Sequence, residues 1–180
     1  MSMPALRFNE FSSDWEQKTL EDITKEKISY GIVQAGVHID GGVPYIKSSN
    51  VGGVIDLAKL QCTSDDIHHK YRRSAVHPND IVISLRGNIG QVSIVPAEIV
   101  EANLTQGTAR ISVDDSNNNK FVYFQMQTRN FLDRVNERST KLPVTSEFTG
   151  LRGISRRSDG MMGYAAIGMR HCKPSDEVPK

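Results

Sequence analysis

Residues 79–96, NDIVISLRGNIGQVSIVP, constrain the fold of this chain more than any other stretch. Two short apolar runs, 81–83 and 92–95, flank a polar insert that contains Gly87 and Gly90. Short apolar runs bounded by turn residues are typical of β-strands, and glycine permits the backbone conformations of a tight reversal. The segment therefore predicts a β-hairpin whose strands contribute to a buried sheet.

The remaining pattern predicts further short strands and little helix. A strand or turn within residues 14–27 is expected to bring Leu20 inward, followed by a brief helical turn. Further strands are predicted at 30–33, 43–47 and 107–113, and a short helix is predicted to run from a capping box formed by Thr63 and Asp66 to about Arg73. After a loop at 114–120, one helix is predicted over 121–138, with these apolar residues near one face: Phe121, Phe124, Met126, Phe131, Leu132 and Val135. The fold class is mixed α+β.

Length and composition set limits on the kind of protein. A chain of 180 residues is the size of one globular domain. No apolar run approaches the roughly 18 residues of a membrane helix, and the first residues lack the pattern of a signal peptide, so we expect a cytoplasmic protein. Cys62 and Cys172 show neither disulfide-framework nor zinc-ligand spacing and are expected to be plain thiols.

A search for catalytic chemistry finds no nucleophile with its base, no paired acids and no phosphate-binding glycine loop. Asp65, Asp66, His68 and His69 could offer metal ligands from one helix face, which leaves a small metal-dependent nuclease as an alternative. A capped, solvated helix start accounts for the same four residues and is the favoured interpretation. We therefore expect no catalytic residues, no metal and no cofactor bound by this chain.

Binding chemistry is better represented. Residues 68–91 hold four basic side chains against one acidic side chain, although the net charge of the whole chain is only +1. Lys70, Arg72 and Arg73 fit contacts with DNA phosphates as well as they fit a solvated surface helix. Arg86 and Asn88 lie in the hairpin insert, and these residue types suit bidentate contacts with base edges, although an ordinary polar hairpin tip is the alternative.

Two other polar segments adjoin predicted strands. Lys47 ends the strand at 43–47 and leads into Ser49 and Asn50, and Gln106 comes just before the strand at 107–113. If these two loops converge with the hairpin tip, they form one edge suited to reading DNA bases, with the basic residues at 70–73 on phosphates.

Four segments in this order resemble the target recognition domain of a type I restriction-modification specificity subunit. They are LRFNEFSSDWEQKTLEDI, YGIVQAGVHIDGGVPYIKSSNV with the following GGVID, HPNDIVISLRGNIGQVSIVP, and ANLTQGTARISV. The resemblance covers residues 5 to about 138. It implies a small twisted, partly barrel-like antiparallel sheet with flanking helices. The residues expected in its core are Leu20, Ile23, Ile32, Val33, Ile46, Ile81, Ile83, Val92 and Ile94, with Trp15 at the edge of the domain.

The resemblance also implies a function. Such a subunit carries two recognition domains, each of which reads half of a split target in double-stranded DNA, and long helices between them dock the methyltransferase subunits. The subunit is not an enzyme. S-adenosylmethionine, ATP and Mg²⁺ belong to the methyltransferase and restriction subunits. A third interpretation is a module that docks the methyltransferase without reading DNA.

The chain departs from the family after the recognition domain. We assign residues 1–138 to the DNA target recognition domain and residues 139–180 to an atypical tail. The tail is expected to be either a truncated or a frameshifted approach to the spacer helix, or the end of a short form that dimerises.

Overall fold

The structure of the protein is a computed structural model that describes residues 16–32, 34–139 and 169–171. The strands are β1 (Glu16–Lys18), β2 (Ser29–Tyr30), β3 (Val43–Ile46), β4 (Gln61–Thr63), β5 (Ala75–Val76), β6 (Ile81–Ser84), β7 (Val92–Ile94), β8 (Ala102–Leu104), β9 (Thr108–Ile111) and β10 (Met169–His171). The α-helices are α1 (Asp65–Lys70), α2 (Asn119–Met126) and α3 (Arg129–Ser139). Short 3₁₀ turns lie at Glu21–Ile23, Ser48–Asn50, Leu57–Lys59 and Arg72–Ser74. This content confirms the α+β class.

The strands divide into two four-stranded sheets and one two-stranded pair. The first sheet has the order β2-β9-β6-β7, and each of its neighbours is antiparallel. The second has the order β4-β3-β8-β5, in which β3 and β8 are parallel and the other pairs are antiparallel. Just after β2, Ile32 forms a parallel bridge with Thr105, so the chain passes from one sheet to the other. Within the described residues neither sheet closes into a barrel.

The predicted hairpin is confirmed as β6 and β7. Ile81 lies opposite Ile94, and Ile83 lies opposite Val92. Side chains alternate between the two faces of a strand, and β6 is buried on both faces. Ile81 and Ile83 belong to one hydrophobic cluster, and Val82 belongs to another. The hairpin therefore joins the two halves of the core.

The two clusters form the layers of the domain. The first packs the helices and the 3₁₀ turn near the N-terminus against one face of the first sheet, and its buried members are Leu20, Ile23, Ile81, Ile83, Val92, Ala109, Ile111, Val113, Val122, Met126 and Phe131. The second fills the space between the sheets, and its members are Ile46, Val51, Ile55, Leu60, Val76, Val82, Val95, Ile99, Ala102 and Leu104.

The core prediction is largely confirmed. Seven of its residues are buried, namely Leu20, Ile23, Ile32, Ile46, Ile81, Ile83 and Val92. Ile94 is only partly buried at the edge of the first cluster. Val33 and Trp15 lie outside the described residues, as does most of the tail, whose described part is β10.

The prediction of one helix over 121–138 was wrong. The chain forms α2 and α3, which are separated at Gln127 and Thr128. The Thr128 hydroxyl donates to the Gln125 carbonyl (2.8 Å) and accepts from the Phe131 amide (3.4 Å), so it ends one helix and caps the next. The buried face of α2 is formed by Val122 and Met126, which are four residues apart. Phe124 lies between them in sequence and therefore on the opposite side of the helix, where its ring is 65% exposed.

The start of the first helix also differs from the prediction. Thr63 is the last residue of β4, and its hydroxyl donates to the Ala35 carbonyl (2.5 Å). The cap of α1 is Ser64, whose Oγ accepts from the Ile67 amide (3.3 Å). None of the helices within the described residues is long and apolar enough to cross a membrane.

Candidate nucleic-acid interface

The three predicted polar loops leave the sheets at the same end of the domain. Ile46, the last residue of β3, pairs in parallel with Leu104, the last residue of β8. Parallel strands end at the same edge, so the loops at 47–50 and 105–107 are neighbours. Ser84, the last residue of β6, lies opposite Thr108, the first residue of β9, which places the hairpin insert at this end as well.

Gly107 is the point where the three loops meet. A Cβ atom added there would lie 3.3 Å from Ser48 Oγ in the first loop and 3.4 Å from Arg86 Cβ in the hairpin insert. The Leu85 amide also donates to the Gly107 carbonyl (2.8 Å). A residue without a side chain thus lets the three loops approach within van der Waals distance.

Arg86 is exposed at this junction, and its surroundings hold its backbone. The Ser84 hydroxyl donates to the Arg86 carbonyl (2.8 Å). The Arg86 guanidinium donates through Nη1 to Gln106 Oε1 (3.4 Å), which joins the hairpin insert to the third loop. Asn88 is exposed at the tip of the same insert. The structure therefore brings Arg86, Asn88 and Gln106 together.

The hairpin insert rests on α3. Gly87 and Gly90 have positive φ angles of 69° and 85°, and the Gly90 amide donates to the Ser84 carbonyl (2.9 Å), closing the loop. A Cβ atom added at Gly90 would lie 3.0 Å from Leu132 Cδ2 and 3.8 Å from Val135 Cγ1. α3 consequently supports the loop that carries Arg86.

Lys47, Ser49 and Asn50 form the first loop, where Ser48–Asn50 is a 3₁₀ turn. Asn50 Oδ1 accepts from the Lys47 amide (2.9 Å), so this bond engages the oxygen of the side chain and leaves its amide nitrogen unengaged by the turn. Ser49 is exposed, and Lys47 is half-buried.

Sequence reasoning missed Gln61, which orients Lys47. The Lys47 ammonium donates to Gln61 Oε1, and the Tyr45 hydroxyl donates to the same oxygen (2.8 Å). Burial raises the pKa of the Tyr45 phenol, with a smaller effect from the nearby Cys62, so this hydroxyl remains a donor at neutral pH. The segment QCT is too short and too polar to signal a strand, which is why β4 and Gln61 were not predicted.

The predicted phosphate-contacting residues lie beside this end of the second sheet. β5 starts at Ala75, opposite Asn103, so the preceding 3₁₀ turn with Arg72 and Arg73 is near the ends of β3 and β8. β5 and β3 flank β8, which places them about 10 Å apart. Lys70, Arg72 and Arg73 are all exposed, and Lys70 is the last residue of α1.

Nothing in the described residues supports the nuclease alternative. His68 is buried, with Nδ1 3.2 Å from Asn103 Oδ1 and Nε2 3.5 Å from Glu101 Oε2. Asp65, Asp66 and His69 are exposed. Within the described part of the chain, no three His, Cys, Asp or Glu side chains are grouped so that they could hold a metal ion.

The converging loops define this chain as an α+β domain with a polar interaction surface at one end. The sequence matches the family "Type I restriction modification DNA specificity domain" over residues 12–146, about three quarters of its length. The chain belongs to this family.

Individual relatives agree with this assignment. The chain is 36% identical to the type I restriction enzyme EcoBI specificity subunit of Escherichia coli over an aligned segment of 102 residues. The aligned segment covers 55% of this chain and 21% of that subunit. The chain thus spans about a fifth of the length of this curated relative. Among solved structures, the HsdS subunit from Thermoanaerobacter tengcongensis has a TM-score of 0.50 at 13% identity, covering 83% of this chain and 44% of that chain. This similarity supports the fold.

Proposed function

We propose that this chain is the DNA-reading part of a type I restriction-modification enzyme, and that it recognises one half of a bipartite target in double-stranded DNA. The observation that carries the proposal is the convergence of three polar loops at Gly107 in a member of the DNA specificity family. Such a surface presents the hydrogen-bonding side chains that base recognition needs, next to basic residues that suit phosphates.

The proposed roles follow from position. Lys47, Ser49, Asn50, Arg86, Asn88 and Gln106 form the edge that faces the bases. Lys70, Arg72 and Arg73 contact the phosphate backbone from the flank of the second sheet. Residues 1–138 are the recognition domain in this proposal, and residues 139–180 are the tail that leads toward the spacer helix.

The proposed partners supply the chemistry. The domain has no catalytic role and binds no cofactor, and it directs a methyltransferase subunit and, through the complex, a restriction subunit in the cytoplasm. S-adenosylmethionine, ATP and Mg²⁺ belong to those subunits. Recognition of the second half-site requires another reading domain, either on the same polypeptide or in a second copy of this chain. A net charge of +1 fits a protein that shares its DNA with partners.

Selection of duplexes from a random library tests the proposal, with the full chain alone and with the methyltransferase subunit. We expect one enriched half-site. Arg86→Ala is expected to lose about 1 to 3 kcal/mol on that site and to relax the preference at one base pair, because base contacts carry sequence information. Arg72→Ala is expected to weaken binding to all sequences alike and to reduce the salt dependence, because phosphate contacts release counterions.

Arg129→Ala is the matched control. This arginine side chain is 94% exposed on α3 and belongs to none of the three loops. Its replacement is expected to leave the selected sequence unchanged. Absence of any preferred sequence, with and without the methyltransferase subunit, would contradict DNA reading and would favour a docking module.

A further inference from the structure

We propose that Arg86 reads a guanine in the major groove and that Gln106 is the positioning residue that holds the Arg86 side chain for this contact. The inference rests on the proposed function, because it assigns a base to the same surface. The proposal is based on two observations. Arg86 Nη1 donates a hydrogen bond to Gln106 Oε1 (3.4 Å), and the hairpin insert packs against the third loop at Gly107.

The chemistry of the guanidinium selects guanine. Arginine has five N–H donors and no acceptor, and the bond to Gln106 uses one donor on Nη1. The edge formed by Nε and Nη2 remains available for a bidentate contact. Guanine presents two acceptors, N7 and O6, in the major groove, whereas adenine presents one acceptor and one donor there. Arg86 is exposed in the loop just beyond the end of β6, outside the buried part of the sheet, so its side chain is accessible to a groove that the sheet itself does not enter.

Gln106 is suited to positioning because its backbone is fixed. The Gln106 amide donates to the Ile32 carbonyl (2.9 Å), and the neighbouring Thr105 amide donates to the Ile46 carbonyl (3.1 Å). These bonds anchor the third loop to both sheets. A free arginine side chain loses about 2 kcal/mol of rotamer entropy when it is immobilised. A bond that restricts Arg86 before DNA arrives reduces that loss on binding.

The absence of a side chain at position 107 is part of the arrangement. A Cβ at residue 107 would lie 3.4 Å from Arg86 Cβ and 3.3 Å from Ser48 Oγ. The start of the Arg86 side chain and the first loop therefore both pack close to the Gly107 backbone.

Two substitutions at Gln106 separate positioning from direct reading. Gln106→Leu keeps the volume and removes the acceptor, whereas Gln106→Glu keeps an acceptor for the guanidinium. The readout is the ratio of affinities for guanine and adenine at the base pair where wild type and Arg86→Ala differ. Arg86→Ala is expected to lower this ratio by about 5- to 150-fold, the discrimination of one bidentate pair. Gln106→Leu is expected to lower it about 2- to 10-fold, as for loss of one hydrogen bond, and Gln106→Glu is expected to retain it.

A double-mutant cycle and modified bases complete the test. In the Arg86→Ala background, Gln106→Leu is expected to have no further effect on the ratio, because its action passes through Arg86. Replacing the critical guanine by 7-deazaguanine, which lacks the N7 acceptor, is expected to weaken binding by wild type but not by Arg86→Ala. Inosine keeps N7 and O6 and is expected to bind as guanine does.

Three results would overturn the inference while the proposed function stands. One is a uniform loss across all sequences for Arg86→Ala, which places Arg86 on a phosphate. The second is an undiminished effect of Gln106→Leu in the Arg86→Ala background, which makes Gln106 an independent reader. The third is wild-type binding that is insensitive to 7-deazaguanine. Failure of the wild-type chain to select any sequence would instead overturn the proposed function, and the guanine contact with it.

Discussion

Gly90 connects the hairpin insert to α3, and its replacement by alanine measures that connection. Both Gly90 and Gly87 have a left-handed backbone, with φ of 85° and 69°, which costs an L-residue roughly 1 to 2 kcal/mol. A Cβ at Gly87 meets nothing within 4 Å, whereas a Cβ at Gly90 meets Leu132 Cδ2 at 3.0 Å. Moving Leu132 off its preferred rotamer costs about 0.5 to 1.5 kcal/mol more. We therefore expect Gly90→Ala to lose about 1.5 to 3.5 kcal/mol and Gly87→Ala to lose about 1 to 2 kcal/mol.

Urea unfolding followed by circular dichroism gives both values. The transition midpoint is expected to fall further for Gly90→Ala at an unchanged slope, because the area exposed on unfolding does not change. Leu132→Ala removes the atom that obstructs the new methyl group. In the double variant Gly90→Ala with Leu132→Ala, the total loss is expected to be smaller than the sum of the single losses by about 0.5 to 1.5 kcal/mol.

Equal losses for the two alanine variants, together with additivity in the double variant, would refute the contact between Gly90 and α3. That outcome would also remove the physical support for Arg86, because α3 would then not hold the insert that carries it. If only the local backbone strain mattered, the two alanine variants would lose the same stability, since both glycines have a positive φ of similar size. The difference between the two variants is therefore the quantity that reports tertiary packing.

Two further predictions concern α2, α3 and the loop before them. Phe131→Ala is expected to lose about 3 to 5 kcal/mol in urea unfolding because this ring is 2% exposed, whereas Phe124→Ala, at 65% exposure, is expected to stay within about 0.5 kcal/mol of wild type. Similar losses would contradict the assignment of Phe131 to the core and of Phe124 to the surface. Hydrogen bonds lower the pKa of Asp114 below its usual 3.8, and the largest contribution is the bond from the Ser116 hydroxyl. Burial of the carboxyl group opposes the shift. Because the folded-state pKa is the lower one, the stabilisation is fully present above the unfolded-state value and disappears as the pH falls through the folded-state value. The difference in urea midpoint between wild type and Asp114→Ala is thus expected to be constant above about pH 5 and to vanish in acid, and a difference that persists there would contradict it.

The sequence predicted the elements whose signals are local. The hairpin was predictable because apolar runs and glycines are adjacent in the chain. β8 was not predictable, because Asn103 at its centre makes the segment look polar. Asn103 is fully buried, and its Oδ1 lies 3.2 Å from His68 Nδ1, a partner 35 residues away. A polar residue whose partner is distant in sequence carries no local signal for a buried strand.

The convergence of the loops is likewise a product of long-range pairing. The register of Ile46 with Leu104 joins two strands whose paired residues are 58 positions apart in the sequence. Short polar segments next to predicted strands identify three candidate loops. They do not show which strand ends lie side by side in the folded domain. Helix caps illustrate the same limit on a smaller scale, since Thr63 and Ser64 are both acceptable caps by residue type. The bond of Thr63 to Ala35 decides between them.

Arg110 links the two sheets, although no sequence pattern singles it out. The link lies between the proposed base-facing and phosphate-facing surfaces. It is buried in β9 of the first sheet, and its Nη1 donates to the Ala75 carbonyl in β5 of the second sheet (2.6 Å), while Nη2 pairs with Glu26 (2.5 Å). Burial of a charge is costly unless such partners satisfy it, so removal of either partner is strongly unfavourable. Ala75 follows directly on the turn that contains Arg73, and β9 follows the loop that contains Gln106. Arg110 thus links β9 of the first sheet to β5 of the second, and in the proposed function this link sets the spacing between the base-facing and the phosphate-facing surfaces.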